Sequence, residues 1–165
     1  MIISANKKTV VFRMFICILI IAWCFLIFSM SNETADLSGK RSEGLVVQFI
    51  KAFLSIFGID PNDKAIVDSI EVLFRKSAHM FLFCVLAILS SLLAYTYPIR
   101  IVFRDISAFV FSYVYASFDE IHQLYVKGRS GSIKDVLIDS VGILIGILIV
   151  RSLSYIISRK RRLTK

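Results

Sequence analysis

Proline occurs twice in this 165-residue chain, histidine twice and cysteine three times, and only 19% of residues are charged. No pair among Cys17, Cys24 and Cys84 has metal-ligand spacing such as CxxC, so packing is the expected role of all three. There is no HExxH and no G-x-S-x-G element, which leaves any reaction type open. Internal repeats and low-complexity segments are also missing, and nothing supports a fibrous or disordered chain. Acids are scarce, with 12 Asp and Glu against 20 Lys and Arg. The basic tail RKRRLTK has no interleaved aromatic residue, and no nucleic-acid partner is expected.

What is present is apolar. The chain is 57% hydrophobic with a mean hydropathy of +0.76, which excludes a soluble domain of ordinary composition. Four windows are long enough to cross a bilayer core of about 30 Å, for which roughly 20 helical residues are needed. They lie at about 10–30, 77–97, 101–118 and 133–150. The third is interrupted by Arg104 and Asp105, whose side chains can snorkel from a helix end. The fold expected is all-α, a single domain over 1–165 with four transmembrane helices. Lys7, Lys8 and Ser29-Met30-Ser31 imitate a signal peptide, but the apolar run FICILIIAWCFLIF is too long for one, so an uncleaved helix is expected.

Basic residues set the expected orientation. With both termini cytoplasmic, the inner side carries eleven cations against Asp105 alone, and the outer side nine cations and eleven acids. The basic excess then faces anionic inner-leaflet lipid. The long outer segment, 31–75, starts polar. It continues as GLVVQFIKAFLSIFG, which is too short to span and is expected to lie at the interface or cap the bundle. After Asp60-Pro61-Asn62-Asp63, the segment KAIVDSIEVLFRK has apolar residues at helical spacing and is expected to run into the second span. A tight turn near Tyr97-Pro98 joins the second and third spans.

Depth counting gathers the polar residues. Lys76 and His79 open the second span from outside. About eighteen residues of the third span, at 1.5 Å each, bring Asp119 and Glu120 to the same level. Asp139 lies about 18 Å above Arg151, inside the hydrocarbon slab, where a carboxylate is costly and by default a functional candidate. Asp135 and Asp139 share a helix face with Gly142 and Gly146, whose Gly-x-x-x-Gly spacing allows close helix approach. Asp119 and Gln123 share another. The expected helix N-termini of the second and fourth spans, a Ser132/Asp135 cap and a nest at Gly128–Gly131 suit an anion, with Arg129 as a bidentate partner. His122 is expected to be exposed on a helix end, and Trp23 to pack or face lipid.

RKSAHMFLF and SFDEIHQLYVKGRSGSIKDVLIDSVGILIG, with a looser match at FSMSNETADLSGKRS, resemble the VanZ-like proteins. The shared pattern is Lys76 and His79, then Asp119, Glu120 and Gln123, then Gly128 and Arg129, then Asp135 with Gly142 and Gly146. Asp139 stands where the family often has Asn, and Phe83 where a Tyr often follows the histidine. The resemblance implies a bacterial inner-membrane protein whose namesake lowers susceptibility to teicoplanin, a lipoglycopeptide that binds cell-wall precursors.

The leading expectation is a modulating protein of the cell envelope. It would bind an anionic lipid head group, such as a polyprenyl-phosphate precursor or an anionic phospholipid, through Lys76, His79 and Arg129. Asp119, Glu120, Gln123 and Asp135 complete the ligand set. Neither a cofactor nor a resident metal is expected. One alternative is an enzyme acting on a lipid-linked phosphate, with His79, Asp119, Glu120 and Asp139 as acid–base residues or divalent-ion ligands. The other is a proton-coupled or scaffold protein centred on Asp139.

Overall fold

The computed structural model describes residues 6–32, 62–129 and 131–163, together with 48, 51, 52, 54–56, 58 and 60. Four helices cross the molecule: α1 (Lys7–Ser31), α2 (Lys64–Tyr95), α3 (Ile101–Gln123) and α4 (Ile133–Leu163). Each is long and apolar enough to span a membrane, and no strand occurs among the described residues. Hydrocarbon favours this solution because a helix closes its backbone hydrogen bonds within itself.

Local signals start the helices. Asn6 Oδ1 accepts the Lys8 N–H at 3.3 Å, and Asp63 accepts those of Ala65 and Ile66 at 3.0 and 3.4 Å. Proline cannot continue a helix by donating to the preceding turn, and Pro98 lies in the short connection from α2 to α3. The helices outrun the spans read from hydropathy. α2 has 32 residues and α4 has 31, or about 45–48 Å against a core of about 30 Å. α2 overshoots where α1 and α3 finish, here termed the polar end. α4 overshoots at the opposite, basic end.

Two glycines set the central contact. A Cβ on Gly142 would land on the Met80 carbonyl, and one on Gly146 on the Cys84 carbonyl, so α4 meets α2 backbone to backbone. Phe83, Leu86, Ala87 and Ile143 are fully buried behind that contact, joined by Ala108 and Ala116 of α3 and Ile16, Ile20 and Ile27 of α1. Trp23 is tied in through its Nε1–H, which donates to the Leu82 carbonyl at 2.9 Å. α1 packs on α2 and α3 but not on α4 among the described residues. Cys24 and Cys84 are half-buried, as packing cysteines would be, whereas Cys17 is exposed. Many large apolar side chains face outward, including Phe12, Phe15 and Phe25 of α1 and Phe103, Val114 and Phe118 of α3. Such a surface suits lipid.

The outer segment is described only in part. Residues 48, 51, 52 and 54–56 are helical, and Leu54 is buried with Val67 beside Ile66 and Ile70. The stretch therefore leans on the first turns of α2. The polar residues 33–47 lie outside the described residues.

Candidate functional site: a polar cavity where three helices meet

Each buried carboxylate at the polar end is placed by the helix that carries it. Asp119, Glu120 and Gln123 lie at the last turn of α3, at spacings of three and four residues that put side chains in reach of one another. Gln123 Nε2 donates to Asp119 Oδ2 at 3.0 Å and to Glu120 Oε1 at 3.3 Å. All three are buried. Asp119 Oδ2 also accepts the Ser31 hydroxyl at 2.8 Å and lies 3.9 Å from His79 Nδ1. That last separation is too long for a hydrogen bond, and His79 Nδ1 is buried without a partner.

The connection between α3 and α4 is stitched back onto α3. Ser132 N–H donates to Glu120 Oε2 at 2.9 Å, and a Cβ at Gly131 would collide with the Glu120 carbonyl. Gly128 adopts a φ of +81°, the left-handed region that glycine reaches without steric cost. α4 then presents Asp135 and, one turn deeper, Asp139. Asp135 forms an ion pair with Lys76 of α2. Asp139 is only 2% exposed, and its Oδ2 is buried without a hydrogen-bond partner.

These groups enclose a cavity of about 350 Å³, within the range of small-molecule sites, about 300–1,000 Å³. Arg75 and Lys76 of α2 and Arg129 of the connection line it alongside Glu120, Asp135 and Asp139. His79 and Gln123 are also in the wall, with Val72 and Ile138 as its apolar part. The layers differ. The side chains of Arg75 and Lys76 are 47% and 40% exposed, whereas His79, Glu120, Gln123 and Asp139 lie in the buried floor. A larger depression of about 480 Å³, bordered by Ile20, Leu93 and Phe111, has no charged side chain to orient a ligand.

The structure thus brings Lys76, His79, Glu120, Gln123, Arg129, Asp135 and Asp139 to one cavity, with Asp119 directly behind it. Several expectations need correction. α2 begins at Lys64, twelve residues and about 18 Å before Lys76, so its N-terminal dipole is not aimed at the cavity. Only half of the Ser132/Asp135 cap forms: Ser132 Oγ accepts the Lys134 N–H at 3.2 Å, whereas Asp135 pairs with Lys76 and the Ser132 N–H goes to Glu120. No nest is presented by Gly128 and Arg129, because the Arg129 N–H is spent on the Val126 carbonyl at 3.1 Å; Ser130 lies outside the described residues. His122 is half-buried, its ring 4.6 Å from that of Phe28, because α1 covers that face of α3. The cavity wall carries as many acids as cations, and Lys76 is already paired.

Sequence reasoning missed three contributors. Ser31 reaches Asp119 from α1, the Met30 carbonyl accepts from Arg129 Nη2 at 3.0 Å, and Arg75 joins the rim. In the sequence Ser29-Met30-Ser31 reads as an imitation cleavage site and as part of the loosely matched FSMSNETADLSGKRS, neither of which assigns it a partner. Its polar residues at the close of an apolar run were the available signal.

The family model described as VanZ/LLP1 matches residues 15–156, which takes in every residue of the cavity. No curated protein and no solved structure matches the chain.

Proposed function

The chain belongs to the VanZ/LLP1 family of membrane proteins, and from that premise we propose that it holds the phosphate-bearing head group of a membrane lipid or lipid-linked cell-wall precursor. The observation that carries this reading is the cavity itself, with Arg75, Lys76 and Arg129 at its mouth. Guanidinium groups pair with phosphate oxygens through two parallel bonds, and Lys76 supplies a compact charge. Val72 and Ile138 offer an apolar wall where acyl or prenyl carbons leave the head group.

The bacterial cytoplasmic membrane is the proposed location, with both termini cytoplasmic and the cavity facing the outer leaflet. The basic residues clustered at the end opposite the cavity support that orientation. Reduced susceptibility to teicoplanin follows if the retained head group belongs to the precursor that the antibiotic binds. Lipids that copurify with wild type and with Arg129→Ala test the core of the reading. A phosphate lipid retained by wild type and depleted in the variant supports it; equal retention in both sinks it.

One observation favours a second reading. Asp119 is fixed by Ser31 and Gln123, and the His79 ring stands 3.9 Å away with its facing nitrogen unpartnered. A small ring movement would make a carboxylate-oriented histidine, the usual arrangement of a general base. Turnover of a polyprenyl phosphate by the purified protein, lost in His79→Gln, would establish it, and absence of turnover would remove it.

A further inference from the structure

The cavity is graded by depth, and the grading bears on what a bound head group must contain. At the mouth stand side chains of positive charge, Arg75, Lys76 and Arg129. One turn further in are acceptors. Asp139 Oδ2 and His79 Nδ1 are each buried with no hydrogen-bond partner, and Glu120 Oε1 receives only the 3.3 Å contact from Gln123 among the described bonds. A buried carboxylate oxygen left unsatisfied costs the full desolvation of that group, so Asp139 in this chain calls for a hydrogen-bond donor. A phosphate alone would meet the mouth and present further negative charge to this floor.

Resting on the head-group reading above, we infer that the ligand is a phosphate ester carrying a primary ammonium, with the phosphate at the arginine-lined mouth and the ammonium against Asp139 in the floor. An ammonium has three N–H donors and no acceptor, which suits the two deeper carboxylates of the cavity wall, Glu120 and Asp139. Its charge also complements Glu120 and Asp139, and charge-assisted bonds are about twice as strong as neutral ones. The spacing fits a short tether. Lys76 at the mouth and His79 in the floor lie three residues apart, and Asp135 and Asp139 four, a rise of about 4.5–6 Å along each helix; an ester oxygen and an amine nitrogen joined by two carbons lie about 3–4 Å apart with single bonds near 1.5 Å. A quaternary ammonium lacks N–H donors and leaves Asp139 Oδ2 unsatisfied. A glycerol head group offers hydroxyls without the charge.

The test uses the full chain in detergent micelles, titrated with phosphatidylethanolamine, phosphatidylcholine and phosphatidylglycerol and read by native mass spectrometry. Wild type should bind phosphatidylethanolamine about tenfold more tightly than either other lipid, the worth of one charge-assisted hydrogen bond. Asp139→Asn, which keeps the side chain's shape, should abolish that preference. Glu120→Gln provides a second, equally shaped variant, and should narrow the preference without removing it. Equal affinity for the three lipids in wild type overturns the inference, as does a preference that survives in Asp139→Asn. Equal binding that is nonetheless lost in Arg129→Ala leaves the head-group reading standing and sinks only the ammonium. Failure to bind any of the three sinks both. Displacement by soluble phosphoethanolamine shows that the charge pair suffices, whereas a lipid preference without displacement assigns recognition to the membrane form.

Discussion

The two ends of the bundle handle charge differently. At the basic end, Arg13 and Arg151 close on local partners. Arg13 donates to the Thr96 hydroxyl and carbonyl at 3.0 and 2.8 Å and lies 3.9 Å from the centre of the Tyr97 ring. Arg151 meets Asp105 at 3.2 Å, and Asp105 also accepts the Tyr95 hydroxyl. Arg104 sits over the Tyr95 ring, and its Nε is the exception there in lacking an acceptor. At the polar end the charged residues are more deeply buried, yet Asp139 and His79, both in the cavity wall, keep unpartnered atoms. The first arrangement anchors a hairpin, and the second leaves acceptors in reserve. Burial alone does not distinguish the two ends; what their charged groups meet does.

Five substitutions can break or sharpen that contrast. The largest loss is expected from Gly142→Leu, which drives a side chain into the Met80 carbonyl and levers α4 away from α2. Overpacking of this kind should cost about 3 kcal/mol and empty the cavity of lipid, measured by thermal unfolding beside lipid copurification. A variant that melts like wild type would mean that the close approach is not needed. Next comes Asp119→Ala, which strands the Ser31 hydroxyl and weakens the hold on Gln123. About 2–3 kcal/mol should be lost, while Ser31→Ala alone should lose about 1 kcal/mol. The double variant should then be no worse than Asp119→Ala, since the two residues share one bond; strict additivity would contradict the pairing.

Asp139→Leu should reverse the sign. Removing an unsatisfied buried carboxylate raises stability by about 1 kcal/mol, at the expense of the amine-lipid preference. A loss as large as that of Asp119→Ala would make Asp139 a structural residue. The smallest effect belongs to the basic end. Arg151 is more than half exposed, so Arg151→Ala should change stability by no more than about 0.5 kcal/mol and leave lipid retention untouched. A clear fall in retention would mean that the two ends are coupled.

Much of the site was legible because depth in a membrane is a counting problem. A helix rises by a fixed amount per residue, so His79, Asp119, Asp135 and Asp139 could be set at neighbouring levels from the sequence alone. Pairing was not legible, because it depends on how each helix is rotated about its axis. Lys76 chose Asp135, Glu120 took the Ser132 N–H, and Asp139 was left unmatched. The same blindness hid Ser31, whose hydroxyl matters only because α1 turns it toward α3. Lys64–Lys76 was read as continuous with the second span, and the structure agrees, but that continuity removes the helix end on which part of the anion argument had rested. Phe83 illustrates the reverse case. It is fully buried with its ring 6.4 Å from that of Tyr115, so a phenol at that position would need a partner for its hydroxyl.

The fastenings of α1 have a consequence in time. Its end is secured by Ser31 to Asp119, and its middle by the Tyr115 hydroxyl on the Cys24 carbonyl at 2.6 Å, partners 88 and 91 residues further along the chain. At about 5–20 residues per second, a ribosome needs roughly 5–20 s after making α1 to supply them. For that interval α1 waits in the bilayer without its final clasps, so a helix made well ahead of its partners is locked in place only when they arrive.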